Sequence, residues 1–179
     1  DLLLEARSDS LKLLANAFYG YLGFYAARWY SLECARSVTA YGRYHINEVI
    51  EEAKKNDFEV IYGDTDSIFV NLDIKKVENA KSTGKMLETL LNTFFTKHVK
   101  EKYRRRSFLE IEFEKLYKKF LMPHVRGLDV GAKKRYAGLI EKDGKDTMDF
   151  VGLEFVRSDW TDIAKKFQLE VLERIFGKT

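Results

Sequence analysis

Phe58-Glu59-Val60-Ile61-Tyr62-Gly63-Asp64-Thr65-Asp66-Ser67-Ile68-Phe69-Val70-Asn71-Leu72 is the stretch that decides the fold. Two short β-branched and aromatic runs, Phe58–Tyr62 and Ser67–Leu72, flank Gly63-Asp64-Thr65-Asp66. Apolar runs of this length around a glycine- and aspartate-containing turn predict a β-hairpin, here with acids at its tip. On an extended chain, residues two apart leave the same face, with Cα atoms roughly 7 Å apart. Carboxylates brought to about 4 Å repel by about 4 kcal/mol at an effective dielectric near 20. A hard divalent cation between them offsets that repulsion. Mg²⁺ suits such a place because it takes few carboxylates and fills its other positions with water and phosphate oxygens. An isolated Asp-x-Asp more often marks an ordinary solvated turn; the strand–turn–strand frame gives this one its weight.

Outward from the hairpin, a first helix is predicted from about Asp9 through Tyr19, ended by the Gly20–Gly23 region. A second runs from about Leu32 to Lys55, with Ala35, Val38, Gly42, Ile46, Val49 and Ala53 as its apolar stripe. A third starts near Ser82 and Thr83, buries Leu87, Leu90, Leu91, Phe94 and Phe95, and ends by Tyr103. Phe108–Glu114 alternates strictly, Leu109, Ile111 and Phe113 against Glu110, Glu112 and Glu114, and so reads as a strand. Further strands are expected at Tyr117–Met122, Lys134–Ile140 and Thr147–Gly152, the last two joined by an Asp143-Gly144 turn. A final helix over about Trp160–Phe176 turns Trp160, Ile163, Phe167, Val171 and Ile175 inward. Helices and hairpin-linked strands that do not alternate give an α+β fold.

The 179 residues allow one domain or one and a fraction. No run of eighteen apolar residues is present, and Asp1–Asp9 resembles neither a signal nor a transit peptide. A single cysteine, Cys34, suits a reducing cytoplasm, and His45, His98 and His124 are too scattered for a His/Cys zinc site. The net charge of +3 is unevenly spread. Residues 97–145 carry 15 Lys and Arg against 7 Asp and Glu, whereas residues 1–96 carry 11 against 14. Basic charge interleaved with aromatics is how proteins approach phosphate backbones, although a solvated face accounts for such charge about as often. The Arg104–Arg106 cluster reads as a solvated helix end.

Lys12, Asn16 and Tyr19 lie within about 60° of one another on a helix. A lysine, an amide and an aromatic on one stripe match triphosphate, sugar and base; the plainer alternative is a solvent-facing polar stripe.

Tyr62-Gly63-Asp64-Thr65-Asp66-Ser67 resembles the carboxylate hairpin motif of family B DNA polymerases. Lys12-Leu13-Leu14-Ala15-Asn16-Ala17-Phe18-Tyr19-Gly20 resembles the family's fingers motif, which usually has serine where Ala17 stands. Lys133-Lys134-Arg135-Tyr136 is similar to the basic motif that holds the primer end of the duplex, and Gly152–Trp160 to the palm–thumb junction of archaeal members. The four motifs occur in family order and span most of the chain. The resemblance implies an antiparallel palm sheet packed on helices. It divides the chain into part of the fingers (1–30), the palm (31–157) and the start of the thumb (158–179). It also implies transfer of deoxynucleotides to a primer 3′ hydroxyl with two Mg²⁺ ions, replaceable by Mn²⁺.

By the same resemblance, Asp64 and Asp66 are the catalytic metal ligands, and Glu112 and Glu114 occupy an acidic strand near the metals, unless they simply face solvent. Lys12, Asn16 and Tyr19 form the site for a deoxynucleoside triphosphate. Lys133, Lys134, Arg135, Tyr136 and Arg157 hold the primer–template. Lys134 is placed to reach minor-groove acceptors, and Tyr136 is equally a candidate for the core. The family's other catalytic aspartate, its exonuclease and most of its thumb lie outside these 179 residues. The chain is therefore expected to be inactive alone and to require the rest of the polymerase, in the same chain or as another subunit. An excised fragment and part of a split polymerase remain equally open. Two rivals are a non-catalytic DNA-binding remnant and an Asp-x-Asp glycosyltransferase, the latter having no use for the Lys12–Gly20 or Lys133–Tyr136 motifs.

Overall fold

The computed structural model describes residues 2–124, 127, 131–142 and 144–177. The elements run α1 (Leu2–Gly23), α2 (Leu32–Lys55), β1 (Glu59–Gly63), β2 (Ile68–Asn71), α3 (Val77–Tyr103), β3 (Tyr117–Leu121), β4 (Tyr136–Lys142), β5 (Lys145–Val151) and α4 (Asp162–Phe176). Helices beside two antiparallel sheets, β1-β2 and β3-β4-β5, make the fold α+β. No helix among the described residues is long and apolar enough to cross a membrane.

The chain divides into two compact units, one of residues 1–49 and 65–67, the other of residues 50–64 and 68–179. In the first, α1 begins seven residues earlier and ends four later than the sequence suggests. Apolar residues stand on every side of it, so no single stripe marks its ends, and none of its described residues is buried. Its return is organised by aromatics: Trp29 lies 6.2 Å from Phe18 and 6.1 Å from Tyr21, and the Tyr21 hydroxyl accepts the Arg28 N–H.

In the second unit, α3 starts at Val77, before the predicted Ser82, and buries Leu87, Leu91 and Phe95, with Leu90 and Phe94 half-buried. Phe108–Glu114 is not a strand, a correction with a clear cause. Its backbone groups are satisfied by α3 side chains instead of a ladder partner. Asn92 accepts the Ile111 N–H at 2.9 Å and donates to its carbonyl at 2.8 Å, and Glu88 accepts the Phe113 N–H at 2.6 Å. The Lys85 ammonium and this N–H hold the Glu88 carboxyl below its ordinary pKa. Alternation survives in part: Ile111 and Phe113 are half-buried and Glu110, Glu112 and Glu114 are exposed, but Leu109, expected on the inward face, is exposed as well. Phe113 lies over Gly84, where a Cβ would come within 2.7 Å of the ring.

β3, β4 and β5 fall at the predicted places, with ends shifted by up to two residues. Gly144 takes a positive φ of 72° in the β4–β5 connection, while Asp143 lies outside the described residues. Helix α4 corrects the expected inward face. Ile163, Phe167, Val171 and Ile175 are exposed, as is Trp160 before the helix. Leu172 and Phe176 pack with Ala137 and Leu153 instead. The helix carries apolar residues on two faces, and polar anchors select between them. One turn before Leu172, Gln168 accepts the Phe155 N–H at 2.6 Å and donates to Glu154 at 2.7 Å. At the other end, Lys119 caps the Phe176 carbonyl at 2.8 Å.

Candidate polymerase site: the carboxylate hairpin and the lysine turn

Strands β1 and β2 pair antiparallel, with Val60 opposite Val70, Tyr62 opposite Phe69 and Gly63 opposite Ile68, and a bulge between Val60 and Tyr62. Gly63 and Ile68 close a four-residue loop, Asp64–Ser67, which bends at Thr65 and Asp66. The loop is bent where the sequence reading assumed an extended chain. Asp64 is half-buried and Asp66 exposed.

Phe69 fixes the hairpin to the three-stranded sheet. Its ring lies 5.4 Å from Tyr62 across the hairpin, 5.2 Å from both Phe120 and Tyr136, and 6.1 Å from Tyr117. Tyr117 donates its hydroxyl to Asp149 at 2.6 Å, and burial together with that bond pushes its pKa above the ordinary tyrosine value. Aromatic pairs at such separations contribute about 0.5–1.5 kcal/mol each beyond their buried area. Tyr136, a candidate for DNA contact in the sequence, is thereby a member of the aromatic cluster that seats the hairpin.

Lys133 and Lys134 form the turn that leads into β4. Lys134 adopts a left-handed backbone with φ 58°, and its N–H donates to the Tyr62 hydroxyl at 2.9 Å. Its ammonium lies 3.7 Å from the Asp64 carboxylate. Gly152 supports the turn from behind, with φ 61°, and a Cβ there would overlap the Lys134 carbonyl oxygen. Left-handed backbone at a lysine is uncommon and persists where the surroundings over-determine it, as they do here.

Two other basic candidates, Arg135 and Arg157, are partnered. Arg135 pairs with Glu154, which also receives the Gln168 amide. That amide, foremost, and to a lesser degree the Arg135 guanidinium hold the Glu154 carboxyl below its ordinary value, although burial pushes it up. Arg157 makes a two-pronged pair with Asp159 at 2.9 and 2.6 Å, which depresses the Asp159 carboxyl. Lys133 is exposed. Glu112 and Glu114 point to solvent, and Glu114 lies 3.7 Å from Lys115. Among the described residues, no three His, Cys, Asp or Glu side chains converge in a group able to hold a metal ion. Lys12, Asn16 and Tyr19 share α1, all exposed.

Of the residues singled out in the sequence, the structure brings Asp64, Lys134 and Tyr136 into one place. Sequence reasoning missed Tyr62, Phe69, Gly152, Glu154 and Gln168, which build that place. The cross-strand Tyr62–Phe69 pair was available as a signal, since hairpin register sets those two rings opposite each other.

Comparison with known proteins identifies the family. The model of DNA polymerase family B matches residues 1–179. DNA polymerase II of Escherichia coli is 43% identical over 170 residues, covering 94% of this chain and 22% of that protein. A DNA polymerase of Thermococcus sp. strain 9oN-7 is 42% identical over 97% of this chain and 20% of its own length. DNA polymerase 2 of Aeropyrum pernix is 42% identical over 96% of this chain and 18% of its own. The chain belongs to DNA polymerase family B. Its relatives are both bacterial and archaeal, and it spans about a fifth of their length.

Proposed function

We propose that this chain is the fingers-to-palm portion of a DNA-directed DNA polymerase that joins deoxynucleotides to a primer 3′ hydroxyl. The observation that carries the reading is Asp64 on the hairpin loop facing Lys134 of the basic turn at 3.7 Å. One loop supplies carboxylates for a metal, and the turn beside it supplies a cation for DNA.

The donor set fits a hard divalent cation. Asp64 and Asp66 are hard oxygen ligands on a short loop, and Asp64 already attracts a cation. These two residues would hold Mg²⁺, with Mn²⁺ able to replace it; when bound, it would activate the attacking hydroxyl and stabilise the leaving pyrophosphate. Glu112 and Glu114 are not needed. A further carboxylate comes from the rest of the polymerase, so the chain by itself does not extend a primer.

Lys134 is 65% exposed in its side chain, and an exposed ion pair contributes only about 0–1 kcal/mol. It is therefore easily redirected from Asp64 to the minor-groove acceptors of the terminal base pair, which every base pair presents. Lys133 holds a backbone phosphate. Arg135 and Tyr136 act indirectly, by setting the turn. Arg157 reaches a phosphate only by exchanging Asp159 for it. On α1, Lys12 neutralises the incoming triphosphate, and Asn16 and Tyr19 shape the nucleotide pocket. The apolar surfaces of α1 and α4 suit coverage by the remainder of the enzyme.

Titration with Mn²⁺, read by paramagnetic broadening with and without primer–template, tests the metal assignment. Binding should weaken at least tenfold in Asp64→Asn and Asp66→Asn. Unchanged binding in both variants would refute it.

A further inference from the structure

Helix α3 ends at Tyr103, and Arg104 caps it in a left-handed conformation, φ 53°, with its N–H on the Lys100 carbonyl. That left-handed step bends the chain back on the helix end. Arg104, Arg105, Arg106 and Ser107 consequently wall the same recess, of about 760 Å³, as Thr96 and Lys100 from the preceding turns. Residues 97–108 hold six Lys and Arg against the single acid Glu101. Among the described residues, Lys100, Arg104, Arg105 and Arg106 make no ion pair or side-chain hydrogen bond with a carboxylate.

Cations at a helix C-terminus favour the helix dipole, but that effect fades within the last turn, which already holds Lys100 and Lys102. Arg105 and Arg106 lie beyond it and need another account. Aromatics supply the second half of the pattern. Phe108, 85% exposed, carries the Arg106 guanidinium 5.3 Å from its ring centre, and Lys102 lies 5.7 Å over Tyr103. An exposed ring next to unneutralised arginines is how proteins hold unpaired nucleic acid, with bases stacking on the ring and phosphates meeting the cations. A recess of this volume is in the range of small-ligand pockets, the scale of a nucleotide or two and not the width of a duplex.

We infer that the end of α3 is a second nucleic-acid site, one that takes single-stranded DNA through Lys100 and Arg104–Arg106, with Phe108 as its stacking platform. None of the residues assigned to synthesis lines this recess.

The test is fluorescence anisotropy of the full chain with labelled oligo-dT and with a duplex of equal length, in EDTA, across about 50–200 mM salt. No metal or nucleotide is needed, so this result is read independently of the polymerase assignment. The Arg105→Ala/Arg106→Ala variant should lose about tenfold in oligo-dT affinity. Its salt slope should fall by about 1.4, at about 0.7 per released phosphate contact on a single strand. Duplex affinity should change by less than about twofold. Phe108→Ala should weaken oligo-dT at least about fivefold with the slope unchanged, as loss of one stacked base does. These side chains are exposed and outside the helix, so the fold is not at risk. Oligo-dT affinity within twofold of wild type in the double variant would overturn the inference. So would competition by poly-glutamate as effective as that by unlabelled oligo-dT, which would identify an acidic polypeptide as the occupant.

Discussion

Gly152→Ala probes the link between the end of β5 and the lysine turn. Two penalties are built into the position. The left-handed backbone, φ 61°, costs a residue with a Cβ about 1–2 kcal/mol. The added methyl also meets the Lys134 carbonyl oxygen far inside the 3.0 Å below which real Cβ contacts essentially never fall. Backbone on both sides must yield, a strain of the kind that costs about 1–3 kcal/mol in overpacked sites. Together these give about 2–5 kcal/mol, or a Tm lower by about 4–20 °C for a chain of this size. Gly144→Ala is the internal control, because Gly144 has φ 72° and nothing within 4 Å of an added Cβ. It should lose only the first penalty. Urea unfolding of both variants reads the difference, expected at about 1–3 kcal/mol with the m-value unchanged. Equal destabilisation would refute the close approach of Gly152 to the Lys134 turn.

Lys133→Ala and Lys134→Ala should both weaken duplex binding, but only Lys133→Ala should lower the salt slope, by about 0.9, because phosphate contacts release counterions and groove contacts do not. Equal slopes in the two variants would reverse the assignment of Lys134. In the complete polymerase, Lys12→Ala should raise KM for nucleotide about 10- to 150-fold, the equivalent of a charge-assisted hydrogen bond of 1.5–3 kcal/mol. An unchanged kcat/KM would return Lys12 to the surface. The Glu154 carboxyl is depressed in the fold, so its stabilising effect is present above the ordinary value of 4.5 and is lost as pH falls through the lower folded value. The stability gap between wild type and Glu154→Gln should therefore narrow as pH drops below about 4.5, measured by urea midpoints. A gap independent of pH would contradict the bond network at Glu154.

Periodicity read the fold well where one face of an element is buried. Helix α2 has its predicted limits, with Ala35, Val49 and Ala53 of its expected stripe buried but Val38 and Gly42 exposed, and the hairpin with acids at its tip is present. Pattern alone failed where two solutions satisfied it. Alternation at Phe108–Glu114 fits a strand or an extended segment whose backbone bonds to helix side chains, and only Asn92 and Glu88 distinguish them. Helix α4 carries two apolar faces, and Gln168 selects the buried one through Glu154 and Phe155. The same holds at the site. Asp64 and Lys134 were legible as motifs, but their proximity depends on Phe69 among rings from three strands, and no local pattern encodes that contact. Arg135 looked free in the sequence because its partner, Glu154, lies 19 residues away.

Primer extension reads the role of the hairpin carboxylates, with the 179-residue chain alone and with the complete polymerase with and without Asp66→Asn. The chain alone should give no extension. The complete enzyme should synthesise DNA, and Asp66→Asn should lower that synthesis by at least about a hundredfold, since removing one charge from a catalytic metal or oxyanion site costs about 3–4 kcal/mol. Robust extension by the complete Asp66→Asn enzyme would contradict the assignment of the hairpin as the metal site.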